Sequence, residues 1–493
     1  MPKKRALTSE QREFFRLVAE AAFSNPFTKE REELDERISG KPGLSRREQI
    51  DATTARVRAH IAELGLHDDA TLSGYPAEDT RILQSAFLFD AFHQFLEAFD
   101  ELIRKQLQAG ATPCPVPFAR DALGLLRQRG FSEKGAERYF AMFYQLRRAF
   151  YFVDRALIGQ SPCMGELRRR LWNNVFTSDI AWYDRYLRHR MEDFSTLLLG
   201  ETGTGKGTAA AAIGRSGLIP FDGRTNRFAC SFTETFISLN LSQFPETLLE
   251  SELFGHRKGA FTGAVEHHEG VLARCSQHGA IFLDEIGEVG IPVQIKLLQV
   301  LQERTFCPVG SHDQARFEGR VIAATNRPLD ALRSSGQFRD DFYYRLCSDI
   351  ITMPPLRDRI REEPAELSLL LDQILHRLTD ERAPGLRDEV QATLRRAVGS
   401  DYDWPGNVRE LEQATRRILL TREYDRTTPA ATDRTDRFVQ ALRQGQLRAD
   451  EILGGYCRLL YERHGTYEEV ARYTGLDRRT AKKHVEAGTN TLA

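Results

Sequence analysis

The chain contains 493 residues, a length that leaves room for about three domains of the usual size. Hydrophobic residues account for 41% and charged residues for 28% of the sequence, which is typical of a globular protein and excludes the composition of a disordered chain. The formal net charge is -1, so the chain as a whole attracts neither nucleic acid nor an anionic membrane, and any basic surface must be local.

The sequence lacks the signals of two further classes of protein, those that span or cross a membrane and those stabilised by disulfides or zinc. No segment approaches the roughly 20 apolar residues that span a bilayer, and the opening residues MPKKRALTSEQREFF contain no apolar leader core. The cysteines are scattered without a C-x-x-C pair, so neither a disulfide framework nor a zinc site is expected. We therefore expect a cytoplasmic protein without membrane contact.

Residues 1–156 have the apolar spacing of helices. Stretches such as AERYFAMFYQLRRAFYFVDRAL repeat apolar residues at steps of three and four, and no strand pattern alternates with them. A phosphorylated receiver domain would need that alternation, so aspartyl phosphorylation is not expected. The aromatic residues of this stretch are expected to form helical core rather than a cofactor pocket. We interpret the region as an all-α regulatory or sensor domain that could bind a ligand, bind a controlling protein or support assembly.

The pattern changes at residue 157. Between residues 157 and 421, the short apolar runs STLLLG, ETFISLN, GAIFLDE and RVIAATN alternate with polar or helical sequence, which predicts an α/β domain with a parallel sheet. Residues 422–436 are polar, contain proline and lack periodicity, so they are interpreted as a linker. Residues 437–493 are again predicted to be helical.

The run LLLGETGTGKGT predicts a phosphate-binding loop. An apolar strand, a glycine-rich loop, a lysine and a run of helix formers follow one another, which is the order that turns backbone N–H groups and a helix N-terminus toward an anion. Gly207 stands where a magnesium-binding hydroxyl is usual, and the nearest hydroxyl comes one residue later. The candidate nucleotide-binding residues of this run are Gly200, Glu201, Thr202, Gly203, Thr204, Gly205, Lys206, Gly207 and Thr208.

Polar residues end two further apolar strands. Asp284 and Glu285 follow the apolar run of GAIFLDE, and Asn326 ends RVIAATN. In nucleotide hydrolases, a carboxylate at such a strand end holds magnesium and its neighbour orients or polarises the attacking water. The asparagine is placed to sense the γ-phosphate or to hold that water.

The stretch ELFGHRKGAFTGA places a phenylalanine between glycine-containing flanks, where a globular protein normally hides an aromatic ring. The glycines on both sides let the backbone move, and the pattern alone leaves open whether the ring is an exposed interaction anchor or folds back on the core. The residues of the hexapeptide are Gly259, Ala260, Phe261, Thr262, Gly263 and Ala264.

The C-terminal stretch GTYEEVARYTGLDRRTAKKHVEAG predicts a helix-turn-helix. Val470 and Ala471 face inward, Gly475 lies at the turn and Leu476 packs beneath it. The second helix is basic, so it could contact phosphates and base edges of double-stranded DNA. The candidate DNA-binding residues are Arg478, Arg479, Lys482, Lys483 and His484.

In order and spacing, these motifs resemble the AAA+ domain of bacterial enhancer-binding proteins, the ATPases that activate sigma-54 RNA polymerase. The resemblance covers about half of the chain, from IGQSPCM to WPGNVRELEQ, and GAFTGA is a signature of that family. It implies an α/β P-loop ATPase with a helical lid, ATP and Mg²⁺ as cofactors, and a homo-oligomeric ring, a hexamer in this family. It also implies that the hexapeptide contacts sigma-54 and that the C-terminus binds upstream DNA.

The resemblance also implies individual roles. Lys206 corresponds to the phosphate-loop lysine, Asp284 to the magnesium ligand and Glu285 to the water-polarising acid. Asn326 corresponds to the first sensor, and Arg409 in WPGNVRE to the second.

Three more residues take roles from the same resemblance. Asn240, at the end of ETFISLN, matches the asparagine that holds the catalytic glutamate in an inactive pose. Arg339 and Arg345, in FRDDFYYRL, match the segment that supplies arginines across the subunit boundary.

Two alternatives remain open at this point. The chain could be another AAA+ remodelling ATPase with an accessory DNA-binding tail, or a non-catalytic DNA-binding repressor whose ATP site only gates assembly. Two segments are longer than is usual for the family and have no assigned role, NNVFTSDIAWYDRYLRHRM and GRSGLIPFDGRTNRFACSFT; loops at the rim of the ring are one interpretation.

Overall fold

The computed structural model describes residues 6–64, 74–379, 384–399, 401–424, 438, 441–442, 445 and 447–491. By its internal contacts the chain divides into two compact units, one formed by residues 1–391 and 402–416 and the other by residues 392–401 and 417–493. The larger unit contains the helical N-terminal region and the α/β domain.

Helices α1 to α7 build the N-terminal region, and several begin at residues whose side chains cap free backbone N–H groups. Thr8 and Gln11 form a capping box at α1, and Ser45 and Glu48 form another at α3. The helices are α1 (Ser9–Phe23), α2 (Lys29–Ser39), α3 (Arg46–Glu63), α4 (Ala77–Gln94), α5 (Leu96–Ala109), α6 (Ala119–Gln128) and α7 (Glu133–Ala156). The prediction of a helical region to residue 156 is confirmed for the described residues.

The α/β domain is built on a parallel sheet of five strands. The strands are β1 (Thr196–Leu199), β4 (Phe236–Asn240), β5 (Ala280–Asp284), β8 (Arg320–Thr325) and β9 (Asp349–Thr352), in the spatial order β4-β5-β8-β1-β9. Two short antiparallel pairs lie outside it, β2 (Phe221–Asp222) with β3 (Arg227–Phe228) and β6 (Thr305–Phe306) with β7 (Ala315–Arg316). The central strands are apolar along their length because helices cover both faces of a parallel sheet.

The four strands predicted from the sequence are confirmed, whereas β9 was missed. Its sequence, DIIT, has only two apolar residues between polar ends, so nothing local distinguishes it from a loop. It becomes a strand because β1 offers it a free edge, with Leu199 paired to Thr352. The sheet therefore has one more strand on the side of the phosphate loop than the sequence indicated.

Helices flank the sheet and continue beyond it. They are α8 (Pro162–Phe176), α9 (Ile180–Trp182), α10 (Lys206–Gly214), α11 (Glu246–Phe254), α12 (Val271–Arg274), α13 (Ile291–Glu303), α14 (Leu329–Ser334), α15 (Asp340–Leu346), α16 (Leu356–Glu362), α17 (Ala365–Thr379), α18 (Pro384–Val398) and α19 (Asn407–Thr421). A buried ion pair, Arg359 with Glu366 at 2.7 Å, ties α16 to α17. Glu366 also accepts the Ser161 N–H at 2.7 Å, so the start of α8 is fastened to these helices.

The long segment after α10 forms the β2–β3 hairpin, which packs on α7. Phe221 and Phe228 of the hairpin lie 4.8 and 5.9 Å from the ring of Phe140, and Tyr144 stacks on Phe228 at 4.0 Å. An aromatic core thus runs without interruption from the N-terminal helices into the α/β domain. The segment therefore joins the N-terminal helices to the α/β domain, a role that the sequence did not assign.

Arg148 of α7 is fully buried at this junction. Its guanidinium donates to the carbonyl oxygens of Arg215 at 2.6 Å and Gly217 at 2.7 Å, just beyond the C-terminus of α10, and lies over the ring of Tyr144 at 4.5 Å. Burial lowers the pKa of Arg148. A cation at this position satisfies carbonyl groups that end the helix without partners and faces the negative end of its dipole.

The other long segment, before β1, contains α9 and a single wide helical turn, Tyr183–Leu187. Tyr183 is buried and exchanges hydrogen bonds with Gln145 of α7. Trp182 and Tyr186 are exposed and lie 4.5 Å apart. This segment is therefore also anchored on α7.

The smaller unit contains three described helices at the C-terminus, α20 (Ala449–His464), α21 (Tyr467–Thr474) and α22 (Arg478–Thr491). Val470 is fully buried and Gly475, with φ 72°, turns the chain after α21. Ala471 and Leu476 pack against the small core around Cys457, as the sequence predicted.

The predicted linker lies outside the described residues except for its first three positions. Among the helices that the structure describes, none is long and apolar enough to cross a membrane.

Candidate functional site

The phosphate loop follows β1 at the carboxyl edge of the sheet and leads directly into α10. Gly203 has φ 81° and Gly205 has φ 96°, a backbone region that side chains disfavour. Lys206, the first residue of α10, is 7% exposed and its ammonium group donates to the carbonyl oxygens of Gly200 at 2.8 Å and Glu201 at 3.1 Å. Burial lowers the pKa of Lys206, and the nearby carboxylates of Glu285 and Asp284 oppose that shift.

The two acids lie near this lysine because β5 ends at the same carboxyl edge of the sheet as β1, with only β8 between the two strands. Glu285 adopts a left-handed backbone conformation with φ 58° and ψ 46°, which costs an L-residue roughly 1–2 kcal/mol. Its Oε2 atom is buried and has no hydrogen-bond partner among the described residues. Backbone strain and a buried unpartnered oxygen are features of functional positions rather than of stabilising ones.

Asn326 and Asn240, the two asparagines predicted to act at the nucleotide site, differ in their contacts. Asn326, after β8, donates to the hydroxyl of Thr202 at 2.9 Å, so the predicted first sensor touches the phosphate loop. Asn240 lies in register with Asp284 across β4 and β5, but its side-chain oxygen accepts hydrogen bonds from the backbone and hydroxyl of Ser242. In the part of the chain that the structure describes, Asn240 and Glu285 share no hydrogen bond, so its role in holding the glutamate stays a prediction.

The start of α19 closes over the loop. An added Cβ at Gly203 would lie 2.2 Å from the Gly406 carbonyl oxygen and 3.0 Å from the Cβ of Arg409. The charge of Arg409 also lowers the pKa of Lys206, so the predicted second sensor stands at the phosphate site.

Two residues of the site were not found from the sequence. Asn407 donates to Glu201 at 3.0 Å and to the Thr202 carbonyl oxygen at 3.1 Å, while Arg357 forms a bidentate ion pair with Glu201 at 2.9 and 2.6 Å. This ion pair lowers the pKa of Glu201. Asn407, with φ 54°, lies in the WPGN motif, and this glycine- and asparagine-containing turn was the available signal.

The residues around the phosphate loop fit a nucleoside triphosphate with Mg²⁺. Backbone N–H groups of the loop, the N-terminus of α10 and Lys206 suit phosphate oxygens. Asp284 and the unpartnered oxygen of Glu285 supply the oxygen ligands that Mg²⁺ and its waters prefer. Gly207 leaves open space, since an added Cβ would meet only Phe282 at 3.8 Å, and the Thr208 hydroxyl is exposed one position later.

The GAFTGA segment forms a compact loop with an exposed tip. The Gly259 N–H donates to the Ala264 carbonyl oxygen at 2.8 Å, which closes the loop, and Gly263 has φ 102°. Thr262 is exposed, and Phe261 is 37% exposed with its ring edge-on to His256 at 4.9 Å. The predicted exposure of the phenylalanine is therefore observed, and the ring makes an edge-to-face contact with His256.

Family comparisons match the central part of the chain. Residues 181–352 match the family model described as the Sigma-54 interaction domain, and residues 361–441 match the AAA+ ATPase lid domain. The chain carries a sigma-54 interaction domain with a AAA+ lid. The resemblance drawn from the sequence motifs is thereby confirmed.

Relatives share this central part. The regulatory protein AtoC of Escherichia coli is 38% identical over 304 residues, which are 62% of this chain and 58% of the relative. The transcriptional regulator NtrC of Azospirillum brasilense is 33% identical over 336 residues, 61% of this chain and 62% of the relative. The solved structure of NtrX from Brucella abortus in complex with ADP aligns at a TM-score of 0.40 and 20% identity over 76% of this chain and 80% of that chain.

Arg345, one of the two arginines of the sigma-54 interaction domain that were predicted to act across subunits, lies away from the phosphate loop of its own domain. The Ser195 hydroxyl, immediately before β1, donates to the Arg345 carbonyl oxygen at 2.8 Å, so Arg345 lies at the amino edge of the sheet. The phosphate loop lies at the opposite edge, four strand residues or about 13 Å away. Arg339 immediately precedes α15 and forms a bidentate ion pair with Asp341 at 3.0 and 2.6 Å, and its backbone N–H donates to Gln294 near the start of α13.

The basic residues predicted to bind DNA lie on α22 of the smaller unit. Arg478 pairs with Glu468 at 2.7 Å and Lys482 lies 3.8 Å from Glu486, while all four cationic side chains of the set are exposed. His484 is half-buried. These contacts leave the basic side chains on an accessible face, which is compatible with the predicted role without testing it.

Proposed function

We propose that the protein is a sigma-54-dependent transcriptional activator that hydrolyses ATP to open the promoter complex. The observation that carries the proposal is the presence of two features in one sigma-54 interaction domain. One is a phosphate loop facing an unpartnered Glu285 oxygen, and the other is a closed loop that exposes Phe261 and Thr262. Hydrolysis at the first would drive movement of the second.

ATP supplies the phosphoryl group to be cleaved, and Mg²⁺ neutralises its charge when bound. Lys206 and the N-terminus of α10 would hold the phosphate oxygens, and Asp284 would hold the metal. Glu285 would orient a water molecule and accept its proton at Oε2, the atom that has no partner among the described residues. Asn326 and Arg409 would couple the state of the bound phosphates to the positions of α19 and the GAFTGA loop.

Assembly into a homo-oligomeric ring, a hexamer as in the family, would complete the site. Arg345 lies at the edge of the sheet opposite the phosphate loop, so it would serve a neighbouring subunit's nucleotide, and Arg339 would accompany it as the resemblance implies. An arginine donated in this way stabilises the charge that develops on the transferred phosphoryl group. Hydrolysis would then depend on assembly.

The rest of the chain would place this ring at its target. Helices α21 and α22 would form a helix-turn-helix within residues 437–493 that binds upstream double-stranded DNA, with residues 422–436 as a linker. Residues 1–156 would regulate the ATPase domain of residues 157–421. The protein would act in the cytoplasm, and its partners would be sigma-54 RNA polymerase and DNA. The shared α20–α22 core and the exposed basic side chains of α22 support this arrangement.

The test is formation of a complex between the purified chain and purified sigma-54 with ADP and a metal fluoride that mimics the transferred phosphoryl group. We expect a slower-migrating species on a native gel that forms only with the mimic and is lost in Phe261→Ala. Val265→Ala is the matched control, because Val265 is 71% exposed directly after the hexapeptide. ATP hydrolysis without any complex would instead favour a remodelling ATPase that acts on another protein.

A further inference from the structure

The segment between α8 and β1 presents a face of exposed aromatic and cationic side chains. Between residues 182 and 190, the exposed positions recur at steps of three and four, so they lie along one side of α9 and the wide turn that follows it. They are Trp182, Arg185, Tyr186, His189 and Arg190. None of these exposed residues is acidic. We call this surface the Trp182 face.

The aromatic part of the Trp182 face consists of two adjoining rings. Trp182 is 56% exposed and Tyr186 is 46% exposed, and their ring centroids lie 4.5 Å apart. The guanidinium of Arg185 lies 5.0 Å from the centroid of the Tyr186 ring. Large aromatic side chains that stay in contact with water side by side are typical of a surface that contacts a partner.

The Trp182 face is positively charged because the single acid of residues 182–190 turns inward. Asp184 is buried, forms a bidentate ion pair with Arg138 and lies 3.5 Å from Arg188. Arg185 and Arg190 have no ion pair within the described part of the chain. The charge of these two arginines is therefore available to an anionic partner.

A cavity next to the Trp182 face carries the same sign of charge. It has a volume of about 470 Å³ and lies at the amino edge of the sheet, where β5 and β8 begin. His189 and Arg190 belong both to the face and to the lining of this cavity. Arginines outnumber acids in the lining by five to three. The cavity thus extends the cationic surface away from the two exposed rings.

We propose that the Trp182 face binds single-stranded DNA. Unpaired bases would stack on Trp182 and Tyr186, and the phosphates beside them would contact Arg185 and Arg190. Aromatic rings alternating with cationic side chains match a single strand, because its bases are free to stack and its backbone is anionic. A duplex hides the faces of its bases within its own stack, and an acidic peptide would use the arginines without the rings.

The choice of DNA rather than RNA rests on the function proposed above, because opening a promoter produces unpaired DNA. Binding to the Trp182 face itself requires neither ATP nor sigma-54. A binding experiment without both can therefore fail or succeed independently of the ATPase and of the complex with sigma-54.

The test uses the intrinsic fluorescence of tryptophan in the full chain. Trp182 is the exposed member of the three tryptophans, since Trp172 and Trp404 are each 4% exposed. An oligothymidylate of about 12 nucleotides is added in the presence of excess unlabelled duplex, which keeps the predicted DNA-binding helices occupied. We expect saturable quenching by the single strand and none by the duplex alone, because only unpaired bases can stack on Trp182.

Substitutions locate the binding surface. Trp182→Ala should weaken binding of the labelled oligothymidylate, measured by anisotropy under the same conditions, by about tenfold, whereas Trp182→Phe should retain binding without the fluorescence change. Arg185→Ala should reduce the slope of log affinity against log salt by about 0.7. Arg120→Ala is the matched control, because Arg120 is exposed on α6, away from the Trp182 face, and has no ion pair within the described residues.

Several outcomes would overturn the proposal. They are absence of quenching, equal quenching by the duplex alone, and unchanged affinity in Trp182→Ala. Oligouridylate binding that is tenfold tighter than oligothymidylate binding would assign the surface to RNA instead. Self-association of the chain that is lost in Trp182→Ala, without any binding of the oligonucleotide, would make the face a contact between copies of this chain.

Discussion

At the scale of single residues, Glu285 combines a strained backbone with a buried unpartnered oxygen beside Lys206. We expect Glu285→Gln to reduce ATP turnover by roughly 100-fold or more, because the amide cannot accept the water's proton. Nucleotide affinity should be retained, since the phosphate contacts remain. Steady-state hydrolysis and binding of a fluorescent nucleotide measure the two quantities.

The matched control for this substitution is Glu288→Gln. Glu288 is exposed in the same short turn and pairs with Arg327 at 2.7 Å, so its loss should leave turnover nearly unchanged. A wild-type protein without turnover, even when concentrated enough to assemble, would favour the interpretation as a DNA-binding repressor whose ATP site only gates assembly.

The two glycines around Lys206 should respond differently to the same added methyl group. Gly203→Ala should abolish nucleotide binding and lower the melting temperature, because its Cβ would lie 2.2 Å from the Gly406 carbonyl oxygen. Gly207→Ala should be neutral or slightly stabilising, because it lies in α10 with open space around it. Thermal unfolding with and without ATP distinguishes the two. Equal destabilisation would contradict this view of the loop.

At the scale of elements, the junction of α7 with α10 depends on one buried cation. Arg148→Met should lower the free energy of unfolding by roughly 3 kcal/mol, because two carbonyl oxygens lose charge-assisted hydrogen bonds and stay buried. Arg155→Met is the control on the same helix, since Arg155 is exposed and lies over the ring of Tyr151. Denaturant titration measures both. A loss no larger than that of the control would show that the junction does not rely on Arg148.

The same junction shows what periodicity can and cannot predict. The helical spacing of α7 and the apolar runs of β1, β4, β5 and β8 were sufficient to locate these elements. The β2–β3 hairpin was not found, because its strands have two residues each and are held by Phe140 and Tyr144, which are distant in sequence. Its partner helix, rather than its own sequence, decides that this segment is ordered.

At the scale of the whole molecule, the positions of Arg345 and the phosphate loop at opposite edges predict catalysis across a subunit boundary. Arg345→Ala and Glu285→Gln should each be inactive alone. Mixing them should restore ATP hydrolysis, because about a quarter of the interfaces in randomly mixed rings would pair an intact glutamate with an intact arginine. Hydrolysis rates at fixed total protein measure the restoration.

The control for the mixing experiment replaces Arg345→Ala with the double substitution Glu285→Gln and Arg345→Ala. No interface in that mixture combines both intact groups, so activity should stay at the background. Failure of the first mixture to recover activity, with assembly verified by light scattering, would place the arginine outside the shared site.

The sequence by itself determined that a helical N-terminal region precedes an α/β domain with a parallel sheet, and it predicted the chemistry of the nucleotide site. These features follow from local patterns, because strand ends, a glycine-rich loop and adjacent acids can each be recognised from a few consecutive residues. The GAFTGA stretch, and the family resemblance that it supports, can likewise be recognised from local sequence alone.

Only the tertiary structure decided how distant segments complete one another. It brought Asn407 and Arg357 to Glu201 and placed Arg148 at the end of α10. In each case the interacting groups are separated by tens to hundreds of residues along the chain. Their pairing follows from burial and hydrogen-bond satisfaction after folding, which local sequence patterns do not record.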